Sequence, residues 1–203
     1  MIRLHHIVES VKVLRSGGIV LYPTDTLYAL AVDARNPEAI RKLKKLKGRD
    51  EGKPISIVVA DMIMAAAYGD VNEAARKLAD QFLPGALTIV LDKKDTVLDE
   101  LAGGGQTIAI RIPDSPFCLA LARALGGAYT ATSANVSGEE TRRTVSDILG
   151  QFGNHAPLVD YVIDIGELPA RKASTIVDVH DGEMKIIREG VISSKEIMKA
   201  LSR

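Results

Sequence analysis

The sequence has no tryptophan, three phenylalanines and one cysteine among its 203 residues, and its 26 basic and 26 acidic side chains cancel. Each shortage excludes something. A single cysteine, Cys118, cannot build an intrachain disulfide framework, which fits a reducing compartment. Without a basic excess the chain lacks the usual signature of a nucleic-acid binder, because phosphate neutralisation dominates that affinity. Scarce large aromatics leave few platforms on which bases could stack. No apolar run approaches the ~18 residues of a membrane helix, and the stretch Met1 to His6 turns charged too early for a signal peptide. These absences predict a cytoplasmic small-molecule enzyme without a membrane partner.

Familiar site motifs are missing too. Gly48 to Lys53 has the glycines and lysine of a phosphate-binding loop, but the spacing is one residue short and Pro54 stands where a magnesium-binding hydroxyl belongs. No G-x-G-x-x-G opens a helix and no G-x-S-x-G elbow is present. His5, His6, His155 and His180 have no partners at metal-ligand spacing, so no metal site is expected.

What is present is an alternation of short β-like runs and amphipathic helical patterns. Helical spacing runs from Ile7 to Leu14, from Asn36-Pro37 to Gly48, from Val71 to Phe82 and from Pro116 to Leu125. Strands are expected at Ile19–Tyr22, Ile55–Ala60, Leu87–Leu91, Thr107–Ile112, Tyr161–Ile165, Thr175–Val179 and Met184–Ile187. Ser193 and Glu196 fit a capping box opening a last helix. Gly103 to Gly105 reads as a flexible turn. No repeat or long linker interrupts the pattern, so the expectation is one α/β unit, residues 1–203, with a mixed sheet.

Four segments place polar groups where strands or helices stop, the usual position of sites in open α/β sheets. Tyr22 to Tyr28 carries Thr24, Asp25 and Thr26 directly after a strand; it reads either as a pocket wall or as a turn satisfying its own backbone. Lys47-Gly48-Arg49 ends a helix carrying Arg41, Lys42, Lys44 and Lys45. A solvated basic face accounts for those four, whereas Lys47 and Arg49 flank a glycine in a way that suits a polyphosphate. Arg111-Ile112-Pro113 offers a guanidinium at a strand end, for a substrate carboxylate or an ordinary ion pair. Thr132 to Gly138 is either a Ser/Asn-rich turn or a wall of small donors against which a ligand packs closely.

Taken in order, these blocks resemble the YrdC/TsaC family of threonylcarbamoyl-AMP synthases over nearly the whole chain. The resemblance rests on Gly17-Gly18 through Tyr28, on Lys47, Arg49 and Pro54, and on Pro84, Gly85 and Thr88. It continues with Arg111 and Pro113, Thr132 to Gly138, Ser174 to Asp178, and Ile187, Arg188 and Gly190. It implies a twisted mixed α/β sheet flanked by helices, with a deep positively charged cavity, in the family's short single-domain form. It also implies a nucleotidyltransferase that condenses L-threonine, bicarbonate and ATP to threonylcarbamoyl-AMP and pyrophosphate, with Mg2+ arriving on the ATP. The product would serve tRNA threonylcarbamoyladenosine modification through a downstream transferase machinery, and weak binding of tRNA or double-stranded RNA is compatible with such a cavity.

By the same resemblance Lys47, Arg49, Ser133 and Asn135 form the catalytic nucleotide site. Thr24, Thr26, Tyr28, Arg111, Pro113, Thr132, Ser174 and Arg188 bind substrate, with Arg111 on the threonine carboxylate, and no residue is a metal ligand. Alanine at Lys47 or Arg49 should then abolish turnover with the fold intact. Three departures stand out: Ala29 replaces a glycine, Asp50 replaces a proline beside the phosphate site, and Ala86 replaces the last proline of Pro-Gly-Pro. Ala29 and Asp50 keep open a YciO-like paralogue with different or weak activity. The carbamoyl-adenylate chemistry of hydrogenase maturation factors fits less well, as those carry cysteine-rich zinc fingers, and an RNA-binding module of the same fold is the rival outside the enzymes.

Overall fold

The structure is a computed structural model that describes residues 3–202. Met1, Ile2 and Arg203, and with them both ends of the expected unit 1–203, lie outside the described residues.

Helix α1 (Leu4–Arg15) leads into β1 (Val20–Pro23), which turns back through residues 24–27 into β2 (Tyr28–Ala31). Helix α2 (Pro37–Lys47) follows, then β3 (Ile57–Val58), α3 (Met62–Ala65), α4 (Glu73–Phe82), β4 (Leu87–Asp92), α5 (Asp99–Ala102) and β5 (Thr107–Arg111). The second half comprises α6 (Pro116–Leu125), β6 (Tyr129–Thr130), β7 (Thr132–Ser133), α7 (Val145–Phe152), a 3-10 turn (Gly153–Leu158), β8 (Tyr161–Val162), β9 (Thr175–Asp178), β10 (Lys185–Arg188) and α8 (Ser194–Leu201).

Helix boundaries follow local chemistry closely. Asn36 accepts from Ala39 N and Pro37 occupies the first turn of α2, whose far end closes on Gly48 in the left-handed conformation, φ 56°. Ser193 and Glu196 form the reciprocal capping box expected for α8.

The strands form two sheets rather than the single mixed sheet expected. One has the order β7-β2-β1-β8, the other β10-β9-β4-β5-β3-β6, and both mix parallel and antiparallel pairs. The reason lies between residues 129 and 134. Thr130 N donates to Val32 O, Ala131 N to Ser56 O and Ala134 N to Tyr28 O, so one short segment leaves the larger sheet and joins the smaller. Two-residue strands such as β6 and β7 carry no period-2 signal to read. For the same reason the expected Ile55–Ala60 strand shrinks to Ile57–Val58.

Strands β1 and β2 are buried on both faces. Leu21 and Leu30 join the main hydrophobic core, while Val20, Tyr22, Ala29 and Ala31 alternate into a second cluster with Cys118 and Leu121 of α6. Double-sided burial explains the continuous apolar run in this part of the chain.

Candidate functional site

A cavity of about 360 Å³ lies between the two sheets, on the face of the larger sheet that carries Thr88, Val90, Ala109, Arg111 and Ile176. Each of those positions is set by strand pleat: in β4 and β5, Thr88 and Arg111 sit opposite one another across the antiparallel pair, and Ile176 of β9 aligns with Thr88 on the other side. The lining includes three arginines, Arg49, Arg111 and Arg188, and no carboxylate side chain. A larger recess of about 480 Å³ adjoins it and shares Thr26, but it is more open and lined by Asp25 and Asp114 as well as Arg171 and Lys172. The smaller, better enclosed space gathers the motif residues.

The turn after β1 supports both readings open in the sequence. Thr24 Oγ1 accepts from Thr26 N (3.0 Å) and Leu27 N (3.1 Å), so the turn satisfies its own backbone. Thr24 and Thr26 nevertheless line the cavity. A chain of donors runs through them: Arg111 Nη1 donates to Thr26 Oγ1 (2.9 Å), which lies 3.1 Å from Thr24 Oγ1, and that hydroxyl donates to Leu27 O (2.7 Å).

Arg111 is buried and pre-engaged. Its Nη2 donates to Asp25 Oδ1 (2.7 Å) and its Nε to Gly85 O (3.3 Å). With the bond to Thr26, three of the five guanidinium donors are used, leaving donors on the two terminal nitrogens. Asp25 thus fixes the guanidinium, and Thr88 Oγ1, 2.9 Å from Ser174 Oγ, completes the polar end of the cavity. The sequence offers Asp25 only as part of a pocket wall or turn, not as the partner of Arg111, and gives Thr88 no site role. The available signal was a lone threonine in an otherwise apolar strand.

Tyr28 and Ala29 also face the cavity, but the Tyr28 hydroxyl is spent on the turn before β9: it donates to Gly166 O (2.8 Å) and accepts from Ile165 N (3.0 Å). Arg188 Nε and Nη2 donate to Ser174 O (3.2 and 2.9 Å). This contact depends on Gly190, where a Cβ would lie 2.0 Å from Ala173 O, so only glycine lets the strand end approach. Pro113, Thr132 and Ser133 complete the expected set on the lining.

Lys47 and Asn135 are brought to the site but sit behind its wall. The Lys47 side chain is buried, and its ammonium donates to Ser133 O, to Asn135 O (2.7 Å) and weakly to Asn135 Oδ1 (3.4 Å). Asn135 Oδ1 also accepts from Ser133 Oγ (2.5 Å), while its Nδ2 donates to Val136 O and Glu139 O. Burial, with Arg49 nearby, lowers the Lys47 pKa to about 7, against the carbonyl oxygens that favour the ammonium. Arg49, by contrast, has its Nη2 on Pro54 O (2.7 Å) and a buried Nε without a partner. Burial lowers its pKa as well.

The reading of a solvated basic face on α2 holds for exposed Arg41 and Lys45 and half-buried Lys42, and needs correcting at Lys44. Arg41 and Lys42 are tied in ion pairs with Glu38, Glu100 and Asp160, and Lys44 is wholly buried. Asp50 does not enter the cavity lining: its Oδ1 accepts from Gly52 N (2.7 Å). Among the described residues no helix is long and apolar enough to cross a membrane.

Residues 12–190 match the Sua5_yciO_yrdC family, described as telomere recombination. A Methanocaldococcus jannaschii protein named "Putative threonylcarbamoyl-AMP synthase" is 42% identical over 188 residues, covering 93% of this chain and 87% of its own. The Bacillus subtilis threonylcarbamoyl-AMP synthase is 32% identical over 94% of this chain, which spans only 55% of that longer relative. Among solved structures, Pyrococcus abyssi Sua5 complexed with L-threonine superposes with a TM-score of 0.91 at 29% identity, over 98% of this chain and 58% of that one. Escherichia coli YciO gives 0.86 at 28% identity, over 96% and 94%.

Proposed function

Because the chain belongs to the Sua5/YciO/YrdC family, we propose that it is an L-threonylcarbamoyladenylate synthase, a nucleotidyltransferase that condenses L-threonine, bicarbonate and ATP to threonylcarbamoyl-AMP and pyrophosphate. One observation carries the reading: the expected nucleotide and amino-acid residues, all but Lys47 and Asn135 which lie behind the wall, line a single cavity with three arginines and no carboxylate side chain. The relatives named threonylcarbamoyl-AMP synthase favour this activity over that of a YciO-like paralogue, and the fold alone does not separate the two.

The chemistry asks little covalent work of the protein. Threonine's amine captures bicarbonate as a carbamate with loss of water, the carbamate oxygen attacks the α-phosphorus of ATP, and pyrophosphate leaves. The carbamate decomposes in bulk water, so the site must exclude solvent, align the reactants and offset growing negative charge. Arg49 serves the phosphates with the terminal guanidinium donors that Pro54 O leaves free, next to the Ser133–Asn135 turn that Lys47 secures. Arg111, held by Asp25 and Thr26, presents its remaining donors to the threonine carboxylate, with Ser174 and Thr88 beside it. The apolar patch of Val90, Ala109 and Ile176 takes the uncharged parts of the ligands. Magnesium comes as part of the ATP substrate. The labile product passes to a transferase acting on tRNA in the cytoplasm; any contact of this chain with RNA is secondary to turnover.

Pyrophosphate release, measured with threonine, bicarbonate and ATP omitted in turn, tests the assignment. Release that requires all of them, with serine or carbamoyl phosphate unable to substitute, is the expected result. ATP binding without threonine-dependent turnover would place the chain with the divergent paralogues. Salt-dependent tRNA affinity without turnover would favour an RNA-binding module.

Arg111→Ala, combined with Asp25→Asn so that no buried carboxylate is left unpaired, should raise the threonine KM by roughly a hundredfold, as expected for loss of charge-assisted hydrogen bonds to a carboxylate. Initial rates against threonine concentration check it. An unchanged threonine KM would make Arg111 a purely structural group.

A further inference from the structure

Lys44 is the unexplained feature of helix α2. Lysine is seldom fully buried, yet its side chain has 0% exposure, one turn before the equally buried Lys47. The two ammonium groups do parallel work on different loops. Lys47 holds the carbonyls of the Ser133–Asn135 turn, and Lys44 donates to Glu51 O while lying 3.3 Å from Glu51 Oε2. Glu51 belongs to the turn that carries Arg49 away from the helix. That turn is otherwise built from short-range bonds: Arg49 N to Lys44 O (2.9 Å), Lys53 N to Asp50 O (3.1 Å) and Gly52 N to Asp50 Oδ1 (2.7 Å).

A turn of this kind, left of its own accord, has many conformations to lose on ordering. Arg49 reaches the cavity only if the turn is fixed, and its side chain makes a single hydrogen bond, to Pro54 O at the turn's far end. We propose that Lys44 is a positioning residue for Arg49, stapling the 48–53 turn onto α2 so that the guanidinium is held at the cavity wall. This rests on the reading of Arg49 as a phosphate-binding group. The staple also accounts for Asp50, a residue with a freer backbone than proline at a position beside the site: the turn is fixed here by a buried cation and an Asp cap, so a rigid ring is not required.

The test compares wild type with Lys44→Met, which keeps the length and removes the charge. The Glu51 side chain is 70% exposed, so the substitution removes a buried charge and leaves its partner carboxylate in water, and the melting temperature should change little. Amide exchange in the 48–53 segment should accelerate, and the ATP KM should rise roughly tenfold, the scale of one charge-assisted hydrogen bond, with the threonine KM unchanged. Adding Asp50→Pro should restore both in large part: the ring fixes the backbone at the turn, Asp50 N–H donates to no acceptor among the described residues, and the one bond lost is that from Gly52 N to Asp50 Oδ1. Unchanged exchange, an unmoved ATP KM, or a threonine KM that rises as much as that for ATP would each overturn the proposal. Exchange does not depend on the reaction: if wild-type protein binds no ATP, the nucleotide reading fails while exchange still decides whether Lys44 holds the turn.

Discussion

Arg49→Ala should cut pyrophosphate release by roughly 10²–10³-fold, the loss expected when one preorganised donor to developing charge is removed. The fold should survive. Arg49 contributes one hydrogen bond to the protein, to Pro54 O, and leaves its buried Nε without an acceptor. A polar atom buried without a partner costs stability, so its removal does not weaken the fold. Single-turnover assays alongside thermal melts check the pair of expectations. Activity near wild type would remove the phosphate role, and a collapse of the melting temperature would recast Arg49 as structural.

Lys47→Met should lose comparable activity by another route, and here the fold should not be indifferent. The sequence alone suggested that alanine at Lys47 would abolish turnover and leave the fold intact. In the structure its ammonium ties Ser133 O and Asn135 O, while Ser137 N donates back to Lys47 O (2.8 Å). Deleting the donor leaves Asn135 O without a partner, at about 1–3 kcal/mol, while Ser133 O keeps the bond from Asn135 N (3.0 Å), and alanine would add a cavity of its own. Methionine limits the damage to the hydrogen bonds.

The same residue gives a pH signature. Its pKa falls from 10.5 in the unfolded chain to about 7 in the fold, so between those values the unfolded state binds more protons and stability rises with pH. The burden of the buried charge is complete below about pH 7 and relieved progressively up to 10.5. Relative to Lys47→Met, wild type should therefore gain stability by up to roughly 1.4 kcal/mol per pH unit in that window, or ~2–4 °C per kcal/mol for a chain of this size. Melting curves of both proteins at pH 7 and pH 9 decide it. A difference independent of pH would mean that the carbonyl acceptors hold Lys47 charged throughout.

These outcomes show where sequence reading succeeds. Asn36-Pro37 and Gly48 delimit α2, and Ser193 with Glu196 opens α8, because caps and left-handed glycines act within a few residues. Strands β4, β5 and β9 were legible because each is a β-branched or apolar run of sufficient length. Short β2, β6 and β7 were not, since two to four residues carry no readable period, and β6 and β7 pair with strands about seventy and a hundred positions away. The candidate site divides the same way. Its arginines, threonines and serines were identified by their order along the chain, yet nothing in that order distinguishes a lysine in solvent from one inside.

The sequence by itself determined helices α1, α2, α4, α6 and α8, though not α3, α5 or α7, together with the longer strands, the family resemblance and the polar residues that meet at the cavity, because these depend on local geometry and on residue type in order. Only the tertiary structure decided that the strands split into two sheets, that Asp25 holds Arg111, and that Lys44 and Lys47 serve loops from within the core. The physical reason is that burial and hydrogen-bond partnership are properties of the packed chain. A lysine's charge is fixed by its formula, but the oxygen atoms it satisfies are fixed by which distant backbone folds against it.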